Sequence, residues 1–254
     1  MTDIRLSRFT GRDGLELAFH ETGGGRPLIL LHGFMGIGRH WLEYGAATAL
    51  AEQGRRLILP DLRAHGRSAT PTDPASYPPD ALVDDLLALI DQLGLEERAY
   101  DLGGYSLGAR IAVRALTRGA RPGRALLAGQ GLVQVSGPQQ QSMSYRTLTA
   151  LVRGEQPEPG STQEQIASWV AQLGQDPRTL LQLLDSLVPT PEEDLRRIDT
   201  PALVVIGQED HDRSSADALA ALLPDAQFLR VPGGHGSAFA APEFVTAITE
   251  FLGG

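Results

Sequence analysis

Three short apolar runs, Leu28-Ile29-Leu30-Leu31, Leu57-Ile58-Leu59 and Leu203-Val204-Val205-Ile206, are continuous rather than alternating. A strand with one wet face alternates apolar and polar residues, so continuous runs imply strands covered on both faces. Amphipathic stretches lie between them. Residues 80–93 place Leu82, Val83, Leu86, Leu89, Ile90 and Leu93 on one stripe and leave Asp84, Asp85 and Asp91 for solvent. Residues 242–252 open with Pro242, suited to a first helical turn, and direct Val245, Ile248 and Leu252 inward. Strand and helix in repetition predict an α/β fold with a mostly parallel sheet. Ahead of this region, Arg5 to Phe9 and Leu15 to Glu21 flank Gly11-Arg12-Asp13-Gly14 and read as a hairpin, so the sheet begins antiparallel.

The rhythm breaks between 131 and 197. Gln139-Gln140-Gln141, the stretch from Gly154 to Gly160, and Asp176-Pro177 separate helical pieces at 140–153, 162–174 and 178–187, with no strand-like run among them. Strands resume at Pro201. The expected organisation is a core of 1–130 and 198–254 interrupted by a helical cap at 131–197, without internal repeats.

Composition excludes several chemistries. The 254 residues contain no Cys, which removes disulfides, thiolate metal sites and cysteine nucleophiles. All 22 basic residues are Arg, so a Schiff-base lysine and a lysine-bearing phosphate loop are excluded too. Against 31 acidic residues they leave a net charge of −9, and no basic run stands out, which argues against nucleic acid as a partner. The first residues lack an apolar signal core and no run approaches the ~20 residues of a membrane helix. A soluble, cytoplasmic protein with a small-molecule substrate and no membrane partner is expected; oligomeric state is not readable.

Gly104-Tyr105-Ser106-Leu107-Gly108 follows a strand-like segment near 99–103 and precedes a helical stretch, Ala109 to Thr117. Glycines two residues either side of a serine permit a cramped strand-to-helix turn that lifts the hydroxyl clear of the sheet. The helix start supplies positive dipole density beside it. A serine nucleophile needs a base, and the base an orienting acid. Of six histidines, only His235 lies late in the chain in a Gly-rich loop, Pro232-Gly233-Gly234-His235-Gly236, after a strand-like Phe228 to Val231. The strand at 203–206 runs into Glu209, Asp210 and Asp212, and local pattern does not rank these three carboxylates.

Five motifs in order resemble the α/β-hydrolase family over essentially the whole chain. Leu31-His32-Gly33-Phe34 is similar to its His-Gly oxyanion loop, and Asp61 to Ser68 to its Asp-x-Arg-Gly-x-Gly-x-Ser segment. Gly104 to Gly108 resembles the nucleophile elbow, Gly207-x-x-Asp210 the acid loop, and Gly234-His235 with Ala241-Pro242-Glu243-Phe244 the histidine loop and last helix. Ala64 departs from the pattern, where the family usually has Gly. The resemblance implies an eight-stranded, mostly parallel sheet with helices on both faces and a small helical cap. It implies Ser106 as nucleophile, His235 as base and then acid, and Asp210 as orienter, in the chain order expected of these enzymes. It places the oxyanion hole at the main-chain N–H groups of Phe34 and Leu107. The family's alternative acid position, after the sixth strand, finds no carboxylate in Leu126 to Gly131.

The activity implied is a serine hydrolase acting through an acyl-enzyme on a small, fairly apolar carboxylic ester, with neither metal nor organic cofactor. Alternatives are lactone, thioester or carbon–carbon bond cleavage by the same triad, a non-hydrolytic cyclase or lyase, and a ligand-binding receptor that keeps the fold. Ser106 argues against haloalkane dehalogenase and epoxide hydrolase, which resemble this fold but use an Asp nucleophile. Tyr105, Tyr145 and Trp169 are candidates for the substrate pocket, each with core packing as the rival role, and Met143 shares that ambiguity. His32 and His65 read as structural loop residues, His40-Trp41 as packing behind the oxyanion loop, and His211 as exposed.

Overall fold

A computed structural model describes residues 3–43 and 46–253. Its single sheet has eight strands: β1 (Arg5–Thr10), β2 (Glu16–Gly23), β3 (Arg26–Leu31), β4 (Arg55–Asp61), β5 (Asp101–Tyr105), β6 (Ala125–Ala128), β7 (Ala202–Gly207) and β8 (Ala226–Val231). They lie in the order β1-β2-β4-β3-β5-β6-β7-β8. The β1–β2 and β2–β4 pairs are antiparallel and all later pairs are parallel, as the hairpin followed by two-faced runs requires.

The continuous runs are explained by what covers each face. Ile29, Leu31, Ile58, Val204 and Ile206 enter one hydrophobic core, while Leu28, Leu30, Leu57, Leu59, Leu203 and Val205 enter a second on the opposite face. Successive residues of a strand point to opposite sides, so every residue of such a run finds apolar partners. Helices close both sides. The short α1 (His40–Glu43), α2 (Ala46–Glu52), α3 (Ala81–Gln92) and α4 (Leu107–Thr117) come first. Five more, α5 (Leu132–Ser136), α6 (Met143–Val152), α7 (Thr162–Gln172), α8 (Pro177–Asp185) and α9 (Glu192–Leu195), lie between β6 and β7. The last two are α10 (Ala216–Leu222) and α11 (Pro242–Leu252). Side chains of α3, α4 and α10 fill the first core, and those of α2 and α11 fill the second together with Trp41.

Helices α6, α7 and α8 match the expected helical pieces, and their ends carry the signals that set them. Ser142 and Ser161 accept from the Tyr145 and Glu164 amides as N-caps, and Asp176 does so for Arg178 ahead of Pro177. The two short helices α5 and α9 left no readable periodicity.

One expectation is corrected. Asp85 does not face solvent: it is buried, and Arg63 donates to its two oxygens at 2.9 and 2.7 Å. Arg63 also donates to Asp13 at 2.6 Å and to the Ser76 carbonyl. The stripe on α3 is wider than its apolar residues suggest because a buried guanidinium waits opposite. Ala64, where the resembled pattern has Gly, lies at φ 64°, the left-handed region that glycine enters without strain.

Among the described residues, no helix is long and apolar enough to cross a membrane.

Candidate active site

Parallel strands bring their carboxyl ends to one edge, and the loops that leave β3, β5, β7 and β8 carry Phe34, Ser106, Asp210 and His235. Ser106 sits between β5 and α4 at φ 53°, ψ −116°, a strained conformation for a non-glycine residue. Its amide donates to the Ala128 carbonyl at 2.8 Å, which pins the turn to the neighbouring strand. The flanking glycines are imposed by close approach. A Cβ on Gly104 would fall 2.2 Å from the Gly108 carbonyl carbon, and one on Gly108 would fall 2.2 Å from the Leu31 carbonyl oxygen. Strand, turn and helix therefore pack backbone against backbone, and the hydroxyl is lifted above the edge.

Ser106 Oγ donates to His235 Nε2 at 2.9 Å, and His235 Nδ1 donates to Asp210 Oδ2 at 2.7 Å. A carboxylate only accepts, so Asp210 holds a proton on Nδ1, the arrangement in which a neutral imidazole turns its Nε2 lone pair toward the hydroxyl. Asp210 is 5% exposed, while Glu209 and Asp212 point to solvent. Burial separates three carboxylates that local pattern left equal. The acid and histidine loops are tied to each other, since the Glu209 amide donates to the Gly233 carbonyl at 3.1 Å. Tyr105 donates its phenol to the His235 carbonyl and lies edge-on to Phe239 and Phe244.

The N–H groups of Phe34 and Leu107 are spent on no protein acceptor among the described residues. Leu107 opens α4, where amides have no helical partner. Such a pair of free donors beside a serine hydroxyl suits a developing oxyanion.

The remaining candidates are distributed as follows. Tyr145 donates to Asp185 at 2.8 Å and lines an open depression of about 290 Å³ with Gln140, Arg146, Thr149 and Arg153. Trp169 is 54% exposed on α7, and Met143 is partly exposed at the start of α6. Trp41 is fully buried and packs on Phe239 with ring centroids 4.7 Å apart. His211 is exposed. Among the described residues no cluster of His, Cys, Asp or Glu is arranged to hold a metal ion.

Arg110 was not visible as a functional candidate. One turn beyond Ser106 on α4, it is buried without a carboxylate within ion-pair distance among the described residues. It donates instead to the Gln134 carbonyl at 2.6 Å, Gln139 Oε1 at 2.7 Å and the Gly137 carbonyl at 3.2 Å. Burial pulls its guanidinium down to about 10. These bonds moor the start of the 131–197 segment to the serine's own helix. The available signal was an arginine on the apolar stripe of residues 109–117.

Comparison with known proteins gives this architecture a context. A profile described as the Alpha/beta hydrolase family matches residues 28–248. Non-heme chloroperoxidase CPO-A1 of Kitasatospora aureofaciens is 29% identical over 225 residues, covering 79% of this chain and 80% of that protein. Epoxide hydrolase 2 of Siraitia grosvenorii is 34% identical over 100 residues, 39% of this chain, and that match spans only 30% of the epoxide hydrolase. Among solved structures, a thermophilic esterase from Thermogutta terrifontis superposes with a TM-score of 0.74 at 26% identity, covering 98% of each chain.

Proposed function

The chain belongs to the Alpha/beta hydrolase family, and from that premise we propose that it is a serine hydrolase that cleaves small, fairly apolar carboxylic esters through an acyl-enzyme at Ser106. The observation that carries this reading is the unbroken hydrogen-bond chain from Ser106 Oγ through His235 to a buried Asp210. A free serine hydroxyl is a poor nucleophile, and this chain offers its proton a destination as the oxygen attacks.

In this reading Ser106 Oγ attacks the ester carbonyl while His235 Nε2 takes the hydroxyl proton. Asp210 holds the imidazole in the required tautomer and stabilises the imidazolium. The tetrahedral oxyanion lies between the N–H groups of Phe34 and Leu107. His235 then protonates the departing alkoxide. Water, deprotonated by the same nitrogen, attacks the acyl-enzyme and releases the acid. The helices of 131–197 form a cap above the carboxyl edge of the sheet, with Arg110 anchoring its base. Tyr145 and Trp169 belong to this segment and contribute to its substrate-facing side.

The epoxide hydrolase and chloroperoxidase relatives share the framework, and the esterase neighbour favours acyl chemistry on it. A serine at the elbow forms an acyl ester, which water cleaves readily, and this supports esters over epoxides. The test is incubation with a fluorophosphonate followed by mass spectrometry, together with turnover of short p-nitrophenyl esters. Mass added at Ser106 and saturable turnover are expected. A folded protein that takes up no label sinks the serine-hydrolase reading, and labelling without ester turnover sinks the ester preference.

A further inference from the structure

Two buried histidines outside the triad link the loop after β3 to the loop after β4 in a reciprocal way. His32, from the first loop, accepts the Leu62 amide of the second on Nε2 at 3.0 Å. His65, from the second, accepts the Met35 amide of the first on Nε2 at 3.1 Å. Each returns its Nδ1 proton to its own loop, His32 to the Gly33 carbonyl at 2.8 Å and His65 to the Arg63 carbonyl at 3.0 Å. The four partners fix both rings as neutral Nδ1–H tautomers. The rings meet edge to face with centroids 5.1 Å apart, and the Phe34 ring packs on His65 at 6.1 Å.

The loop that His65 grips is one that local sequence alone does not hold. Gly36 donates to the Gly33 carbonyl at 2.9 Å, closing a turn with Phe34 and Met35 at its centre. Met35 occupies the third position at φ 59°, where such turns ordinarily require glycine or asparagine. A strained non-glycine residue persists only where its surroundings over-determine it. The central amide of the turn points away from the turn's own hydrogen bond, and His65 is what receives it. The next amide back along the chain is Phe34 N–H, which is unspent.

We propose that His65 is a positioning residue for the oxyanion hole, its Nε2 holding the Met35 amide so that the neighbouring Phe34 N–H stays aimed at the carbonyl attacked by Ser106. This rests on the serine-hydrolase reading above. His65 touches neither substrate nor triad. Its effect is therefore felt where charge develops on the carbonyl oxygen rather than in ground-state binding.

His65→Gln and His65→Asn separate this role from simple packing, since both are polar and smaller than histidine. The glutamine oxygen reaches the place of Nε2 and keeps the acceptor for Met35, whereas the asparagine oxygen reaches only the place of Nδ1. Turnover of a short p-nitrophenyl ester, the rate of fluorophosphonate labelling at Ser106 and hydrogen exchange at the Met35 amide are compared in the full chain. His65→Asn is expected to lose about tenfold or more in kcat and labelling rate, with KM within about twofold, and to expose the Met35 amide. His65→Gln is expected to stay within about threefold of the unsubstituted protein in rate and to keep the amide protected. Equal losses in both variants, or wild-type kcat in His65→Asn, overturn the proposal. If the unsubstituted protein takes no label, the functional reading fails by itself, and Met35 exchange still decides the clamp. Protection lost in His65→Asn and kept in His65→Gln supports it, and equal protection in all three proteins overturns it.

Discussion

The phenol of Tyr105 donates to the main-chain carbonyl of His235 at 2.5 Å, joining residues 130 positions apart. The residue that precedes Ser106 thus anchors the loop that carries His235, and the Tyr105 and His235 rings lie 5.5 Å apart. Removing the hydroxyl leaves the carbonyl without this donor while the ring still packs on Phe239 and Phe244. Tyr105→Phe is expected to lower stability by about 1 kcal/mol. It should lower kcat by roughly tenfold as the imidazole drifts from Ser106, with KM little changed. Steady-state kinetics and urea denaturation check both, and an unchanged kcat removes Tyr105 from the positioning of His235.

Burial selects Asp210 from three neighbouring carboxylates, and substitution tests that selection. Asp210→Asn keeps the shape but offers a donor to His235 Nδ1, favouring the wrong tautomer. Turnover is expected to fall by as much as about 10⁴-fold. Glu209→Gln and Asp212→Asn alter exposed groups and are expected to remain within about twofold of the unsubstituted enzyme. A large loss in either of these exposed variants, with Asp210→Asn nearly active, would reassign the acid.

Much of this arrangement was legible because steric demands leave marks in sequence. Gly104 and Gly108 are spaced as they are because backbone meets backbone at both positions, and Leu28 to Leu31 is continuous because each face of β3 is covered. Relationships made through space left no such mark. Asp85 looked like a solvent residue because its partner Arg63 lies on another loop, and His32 and His65 looked merely structural because their exchange of amides joins two loops. The helices of 131–197 could be placed but not oriented. Their contacts with the core, such as Arg110 with Gln134 and Gln175 with the Ala64 carbonyl, run through main-chain acceptors that any residue supplies.

The elbow is also a stability element. Gly108→Ala would drive a Cβ onto the Leu31 carbonyl oxygen at 2.2 Å, between backbone segments that have no side chain to move. The variant is expected to lose about 3 kcal/mol, or roughly 6–12 °C in Tm. It should lose activity as well, because the shift is transmitted to Ser106. A thermal melt superimposable on that of the unsubstituted protein would contradict the packing described for β3, β5 and α4.

Arg63 and Asp85 form a buried pair whose halves are not equally replaceable. Asp85→Asn leaves the guanidinium with Asp13 and a carbonyl but without its two-pronged partner. Breaking one side of a buried pair is expected to cost about 3 kcal/mol, and Tm should fall by roughly 6–12 °C. A Tm within a degree of the original would show that Asp13 alone satisfies Arg63.

The His32–His65 exchange also sets a pH dependence of stability. Burial holds both rings below the usual imidazole range. For His32, repulsion from His65 adds to the shift; for His65, the Arg63 carbonyl and the Asp61 carboxylate oppose it. The unfolded chain takes up these protons near pH ~6.5 while the folded chain does not. The unfolded state therefore binds more protons below that pH, and this stabilisation, complete above it, is lost on acidification. The loss approaches about 1.4 kcal/mol per pH unit for each ring until the folded pKa is reached. Asp85 acts in the opposite sense, because burial pushes its carboxyl up to about 6 and the folded chain takes up its proton first. His65→Gln removes one titrating ring and leaves Asp85, Asp61, His20, His32 and His40 in place. Urea denaturation at pH 7, 6 and 5 is therefore expected to show a shallower loss of stability for His65→Gln than for the unsubstituted protein. Parallel losses would mean that the His65 ring accepts a proton in the folded state as readily as in the unfolded one, which is incompatible with an Nε2 committed to the Met35 amide.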